Sequence, residues 1–106
     1  MDEWSVSAYK EMGGEETPMF TATIMRNGKA VGRASNSGHG GANSYCGKNS
    51  YGIDGFCEAA QKWAEQFGYK HAFEADSLWI DWYVKHRPYG VTARAYLAEL
   101  NNMISA

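Results

Sequence analysis

The run MFTATIMRNGKAVGRAS, residues 19 to 35, has Asn27-Gly28 at its middle and β-prone residues on both sides. Asn and Gly both tolerate the positive φ that a two-residue type I′ turn demands, so the run is expected to fold as a β-hairpin. A two-residue turn also sets the register. It places Ile24 opposite Val31 and Phe20 opposite Ser35, with Phe20, Ala22, Ile24 and Val31 on the buried face. Whatever the chain folds into contains this antiparallel pair.

The remaining elements follow from periodicity. WSVSAY alternates Trp4, Val6 and Ala8 with Ser5, Ser7 and Tyr9, as a half-buried strand does. EMGGEETP after it reads as a polar loop. DGFCEAAQKWAEQFG reads as a helix with Asp54 as N-cap, Gly68 just past its end, and Phe56, Ala60, Trp63, Ala64 and Phe67 on one stripe. ADSLWIDWYVKHRP fits helix or strand over residues 77–86; the Asp76 cap and the length favour a helix stopped before Pro88. VTARAYLAELNNMIS reads as a final helix capped by Thr92, with Val91 stapled to Tyr96 and a stripe of Tyr96, Leu97, Leu100, Met103 and Ile104. Strands first and helices after predict an α+β fold: a small antiparallel sheet of about three strands, then two or three helices packed on one face. At 106 residues the expectation is a single domain, 1–106, with enough buried surface for one core.

Ten basic and twelve acidic residues leave a net charge of −2, which argues against a grip on duplex DNA. No apolar run is long enough to cross a membrane and no signal-peptide core opens the chain, so the expected location is the cytoplasm. There Cys46 and Cys57 are expected to stay reduced. Four Trp, seven Tyr and four Phe exceed what a core of this size needs, so some of them should reach the surface as contacts.

Residues 33 to 52, RASNSGHGGANSYCGKNSYG, hold five glycines and three asparagines. Such a loop could cradle an anion, but neither phosphate motif is intact. A Walker loop fails at Ala42 and Asn49, and a dinucleotide fingerprint beginning at Gly38 fails at Asn43. A solvated connection explains the composition as well. His39, Cys46, Cys57 and His71 are separated by six, ten and thirteen residues, which matches no compact zinc signature; neither metal nor cofactor is implied. Cys46 or Ser37 beside His39 lacks any nucleophile signature. Glu74, Asp76 and Asp81 near His71 and His86 are explained by capping, solvation and an Asp81–Lys85 surface pair. The cluster Trp79, Trp82, Tyr83 and Tyr89 beside Lys85, His86 and Arg87 could anchor a protein interface or stack the bases of a single strand; core packing accounts for part of it.

One resemblance adds a setting. Residues 20 to 45, FTATIMRNGKAVGRASNSGHGGANSY, resemble a stretch of small phage and prophage proteins. The pattern there is a strand, a Gly-Lys turn, a second strand and SN-x-G-x-GG-x-N. The matching positions are Gly28, Lys29, Val31, Gly32, Ser35, Asn36, Gly38, Gly40, Gly41 and Asn43, about a quarter of the chain. The resemblance implies an accessory protein that binds a host protein or protein complex, as inhibitors of host defence such as anti-CRISPR proteins do. It transfers no catalytic residue. The expected contacts are Ser35, Asn36, His39, Asn43 and Tyr45 in the loop, and Trp79, Trp82, Arg87 and Tyr89 in the aromatic cluster. A different reading is a small-molecule or enzymatic domain that holds a nucleotide-like ligand in loop 35–47.

Overall fold

The computed structural model describes residues 1–14, 19–47, 53–69 and 74–105. The fold is α+β: among the described residues, a four-stranded antiparallel sheet followed by three α-helices. The chain falls into two compact units, residues 2–54 and the part from Gly55 onward together with Met1.

The first unit is a meander of β1 (Trp4–Met12), β2 (Met19–Arg26), β3 (Lys29–Asn36) and β4 (Ser44–Gly47), in that order across the sheet. The turn between β2 and β3 is the expected one. Asn27 and Gly28 have φ of 51° and 79°, and Arg26 pairs with Lys29. The register beyond it differs from the expectation. Met25 pairs with Ala30 but Ile24 with Gly32, so Val31 is an extra residue in β3 and Phe20 meets Asn36 rather than Ser35. This bulge moves the buried face of β3 from Val31, which is half-buried, to Gly32 and Ala34. The reason is local crowding. A Cβ at residue 32 would lie 2.7 Å from the Cys46 carbonyl oxygen and 2.7 Å from Ile53 Cδ1, so only glycine fits where β4 crosses.

A second bulge re-phases β1. Ser7 pairs with Thr23 and Lys10 with Thr21, leaving Ala8 and Tyr9 opposite one residue, with Ala8 at φ 51°. Ala8 is therefore exposed instead of inward, and Tyr9 turns in to stack on Phe20 at 5.5 Å. The strand also runs on through Glu11 and Met12, which were expected to be loop. Trp4, Phe20, Ala22, Ile24 and Ala34 are buried.

β4 was not expected at all. It lies inside the glycine-rich stretch and pairs with β3 from Gly32↔Gly47 to Ser35↔Ser44. The long loop is thereby reduced to residues 37–43. Residues 48–52, the rest of that stretch, lie outside the described residues.

The second unit contains α1 (Phe56–Gln66), α2 (Ala75–Asp81) and α3 (Ala93–Ser105). Helix α1 buries Phe56, Ala60, Trp63 and Ala64, the stripe read from sequence, while Phe67 is half-buried. Its N-cap is Gly55 at φ 85° rather than Asp54, and no side chain caps it. Gly68 at φ 88° closes the other end. Its N–H donates to the Glu65 carbonyl and that of Tyr69 to the Ala64 carbonyl, the paired bonds of a Schellman motif.

Residues 77–86 are helical, as favoured. The cap is Glu74 at φ 64°, with Asp76 inside the first turn instead of at the cap. The helix does not stop before Pro88. It widens to a π-helical turn over Trp82–His86 and tightens to a 3₁₀ turn over Arg87–Tyr89, which takes Pro88 in its first turn where a missing N–H costs nothing. Thr92 caps α3 as expected, its Oγ1 accepting from Ala95 N–H at 3.1 Å. Ala93, Tyr96 and Leu97 are buried. Met103, expected on that stripe, is 70% exposed.

Candidate functional site

The π-helical turn determines what surrounds Asp81. In a regular α-helix the residue five positions on points about 140° away. The widened turn brings His86 back, with Nε2 at 3.4 Å from Asp81 Oδ2. Lys85 Nζ lies 3.7 Å from Oδ1, the pair expected from spacing. Tyr96, fifteen residues along the chain on α3, donates its hydroxyl to Oδ2 at 2.8 Å and holds its ring 4.8 Å from that of His86. Burial, then the hydrogen bond to Asp81 and its charge, push the Tyr96 hydroxyl well above the usual tyrosine range. One carboxylate thus ties α3 to the turn between α2 and the 3₁₀ segment.

Two aromatic ladders run through this unit, each ending in an arginine. In the first, Arg87 Cζ lies 3.9 Å from the centre of the Tyr83 ring, Tyr83 is 5.0 Å from Trp79, and Trp79 meets Phe56 edge-on at 5.5 Å. In the second, Arg94 lies 5.7 Å from the Phe67 ring, with Phe67 at 6.4 Å from Trp63 and Trp63 at 5.5 Å from Trp82. Trp82 also donates its Nε1–H to the Val91 carbonyl at 2.9 Å. Of the aromatic contacts read from sequence, Trp79 is therefore a core residue and Trp82 a half-buried brace. Tyr89 is different. It is 84% exposed, on a turn closed by Gly90 at φ 83°. Gly90 N–H donates to the Arg87 carbonyl at 3.1 Å and Val91 N–H to the His86 carbonyl at 3.3 Å. A large ring and a guanidinium are thus displayed together on a backbone with little freedom.

The glycine loop is built around Asn36. Its Oδ1 accepts from Gly38 N–H at 2.8 Å, and its Nδ2 donates to the Gly41 carbonyl at 2.9 Å and to Asn43 Oδ1 at 3.0 Å. Asn43 in turn donates to the Tyr45 hydroxyl at 3.3 Å. These side chains shape the loop, with Gly38 and Gly40 at φ 81° and 83°. Ser35 is half-buried in β3 opposite Ser44. The loop presents Ser37, His39 and residues 40–42 outward, all exposed.

Sequence reasoning missed Tyr83 as the platform under Arg87 and Tyr96 as the partner of Asp81. Tyr83 and Arg87 stand at the i,i+4 spacing of neighbours on one helical face, a signal that was open to reading, whereas the Tyr96–Asp81 contact depends on tertiary packing and carries none. Among the described residues no group of three His, Cys, Asp or Glu side chains is placed to hold a metal ion. Among the same residues, no helix is long and apolar enough to cross a membrane. Comparison with known proteins gives no match: no family model fits the chain, and no curated protein or solved structure is detectably similar.

Proposed function

We propose that this is a phage-type accessory protein that works in the host cytoplasm by binding a host protein, as an inhibitor of a defence complex of the anti-CRISPR kind. The observation that carries the reading is Tyr89, 84% exposed on a glycine-closed turn beside Arg87. Tyrosine and arginine are the residue types that dominate interface energetics, and a backbone turn already closed before binding lowers the entropy lost on association. The phage setting rests on the resemblance of residues 20 to 45. In the same reading the tip of the glycine loop, His39 with the exposed backbone of residues 40–42, is a second contact surface.

The nucleotide-like ligand reading is less well supported, since Asn36 and Asn43 spend their amides inside the loop. The deciding experiment is affinity capture from lysate of the natural host, with the wild-type chain and with Tyr89→Ala. The expected result is one stoichiometric host protein, retained at least tenfold less well by the variant, equivalent to about 1.4 kcal/mol. No host protein, together with thermal stabilisation of the chain by a nucleotide, overturns the reading.

A further inference from the structure

Lys85, His86 and Arg87 are consecutive, yet only one of them faces outward uncompensated. Lys85 and His86 both face Asp81, at 3.7 and 3.4 Å. Arg87 is exposed and makes no ion pair among the described residues; the Tyr83 ring lies 3.9 Å below it. A guanidinium lying over a ring uses its face. Its N–H groups lie in the plane of the group and remain available at the edge. Tyr83 in turn packs 5.0 Å from Trp79, which is buried against Phe56. Tyr89, two residues on in the same 3₁₀ turn, is an exposed apolar ring with a polar tip.

We propose that residues 85–89 form a surface that reads a carboxylate: Arg87 takes an Asp or Glu side chain of the partner in a two-point contact, and Tyr89 packs on an apolar residue next to it. This rests on the host-protein reading and gives that partner a chemistry, an acidic segment carrying at least one apolar side chain. Charge complementarity supports an acidic protein segment over a nucleic acid strand. Strand binding needs several cations tracking the phosphates, and here Lys85 and His86 are already turned to Asp81. A planar two-pronged donor is also better matched to a carboxylate than a point charge is.

The test uses the full chain with isotope-labelled arginine side chains and tyrosine rings, followed by NMR. The probes are a blocked peptide of glutamates around one phenylalanine, its glutamine counterpart, and an oligothymidylate. The expected result is saturable movement of the Arg87 Nε–Hε and Tyr89 ring signals with the glutamate peptide. Affinity should fall about tenfold with the glutamine peptide, and by as much for Arg87→Lys, which keeps the charge and loses the fork. Equal binding by Arg87→Lys overturns the two-point contact, and movement of the same signals by the oligothymidylate alone overturns the choice of an acidic protein segment. Host-protein capture that survives Arg87→Lys removes this inference and leaves the host-protein reading standing. Peptide binding without any captured host protein does the reverse.

Discussion

Tyr96 and Asp81 share a 2.8 Å hydrogen bond that joins the final helix to the end of α2. A hydrogen bond to a charged group contributes roughly 1.5–3 kcal/mol, so Tyr96→Phe should lower stability by about that much, measured by urea unfolding at neutral pH. The same pair gives a pH dependence. The hydroxyl is raised above the ordinary value of 10.0 by burial, by its bond to Asp81 and by the nearby charges of Asp81 and Tyr69. The folded state therefore holds this proton more tightly than the unfolded chain. The stabilisation is complete below 10.0 and is lost as the pH climbs from there toward the raised value. Wild-type unfolding midpoints should fall steeply in strong alkali, and those of Tyr96→Phe distinctly less. Parallel curves for the two proteins would refute the assignment.

Gly28→Val should destabilise the fold by more than about 1 kcal/mol, because a β-branched residue resists the φ of 79° found there. Thermal unfolding that stays unchanged would remove the type I′ assignment.

At Gly32 the obstacle is space rather than φ. Gly32→Ala places a methyl group 2.7 Å from the Cys46 carbonyl oxygen, which is backbone and cannot swing aside. The expected cost is about 1–3 kcal/mol, together with faster amide exchange in β4 than in β2. A variant as stable as the wild type, with β4 still protected, would show that the crossing is looser than described.

Asn36→Ala removes one acceptor and two donor contacts from a loop of seven residues, 37–43. The sequence pointed to Asn36 as an outward contact, a role in which its loss costs little stability. The geometry predicts instead a loss of about 1–2 kcal/mol from Asn36→Ala alone. A melting temperature equal to that of the wild type would return Asn36 to the contact role.

Both thiols are free and exposed, so both should titrate in the native protein. The Cys57 thiol is raised by burial and, less strongly, by the negative charge of Asp76. Removing that charge lowers the thiol's pKa and increases its thiolate fraction at neutral pH. Asp76→Asn should therefore speed alkylation of Cys57 and leave the rate at Cys46 unchanged. An unaltered rate at Cys57 would mean that burial alone sets its reactivity.

What the sequence disclosed follows from how far each signal reaches along the chain. Asn27-Gly28, the α1 stripe and the Thr92 cap each depend on neighbours within about one turn, and each is found in place. The bulge at Val31 was invisible because its cause is Gly32 meeting β4, a strand of four residues hidden in a composition that resembles loop. Asp54 and Asp76 looked like caps, but glycine and glutamate in left-handed conformations took those positions. The Asp81–His86 contact needs a helical period that no spacing of apolar residues announced. Of the candidate site, Arg87 and Tyr89 were legible as residue types and Tyr83 was open to reading from its i,i+4 spacing to Arg87; the closed turn that displays Tyr89 was not.

The sheet has one further consequence, for how it is made. Strand order across the sheet repeats strand order along the chain, so every strand pairs with its immediate predecessor. No pairing waits for a distant segment, and loop closure costs least when the partners are near in sequence. All the described strand pairs lie within residues 4–47, so each can form as soon as residue 47 leaves the ribosome, before α1, α2 or α3 has emerged.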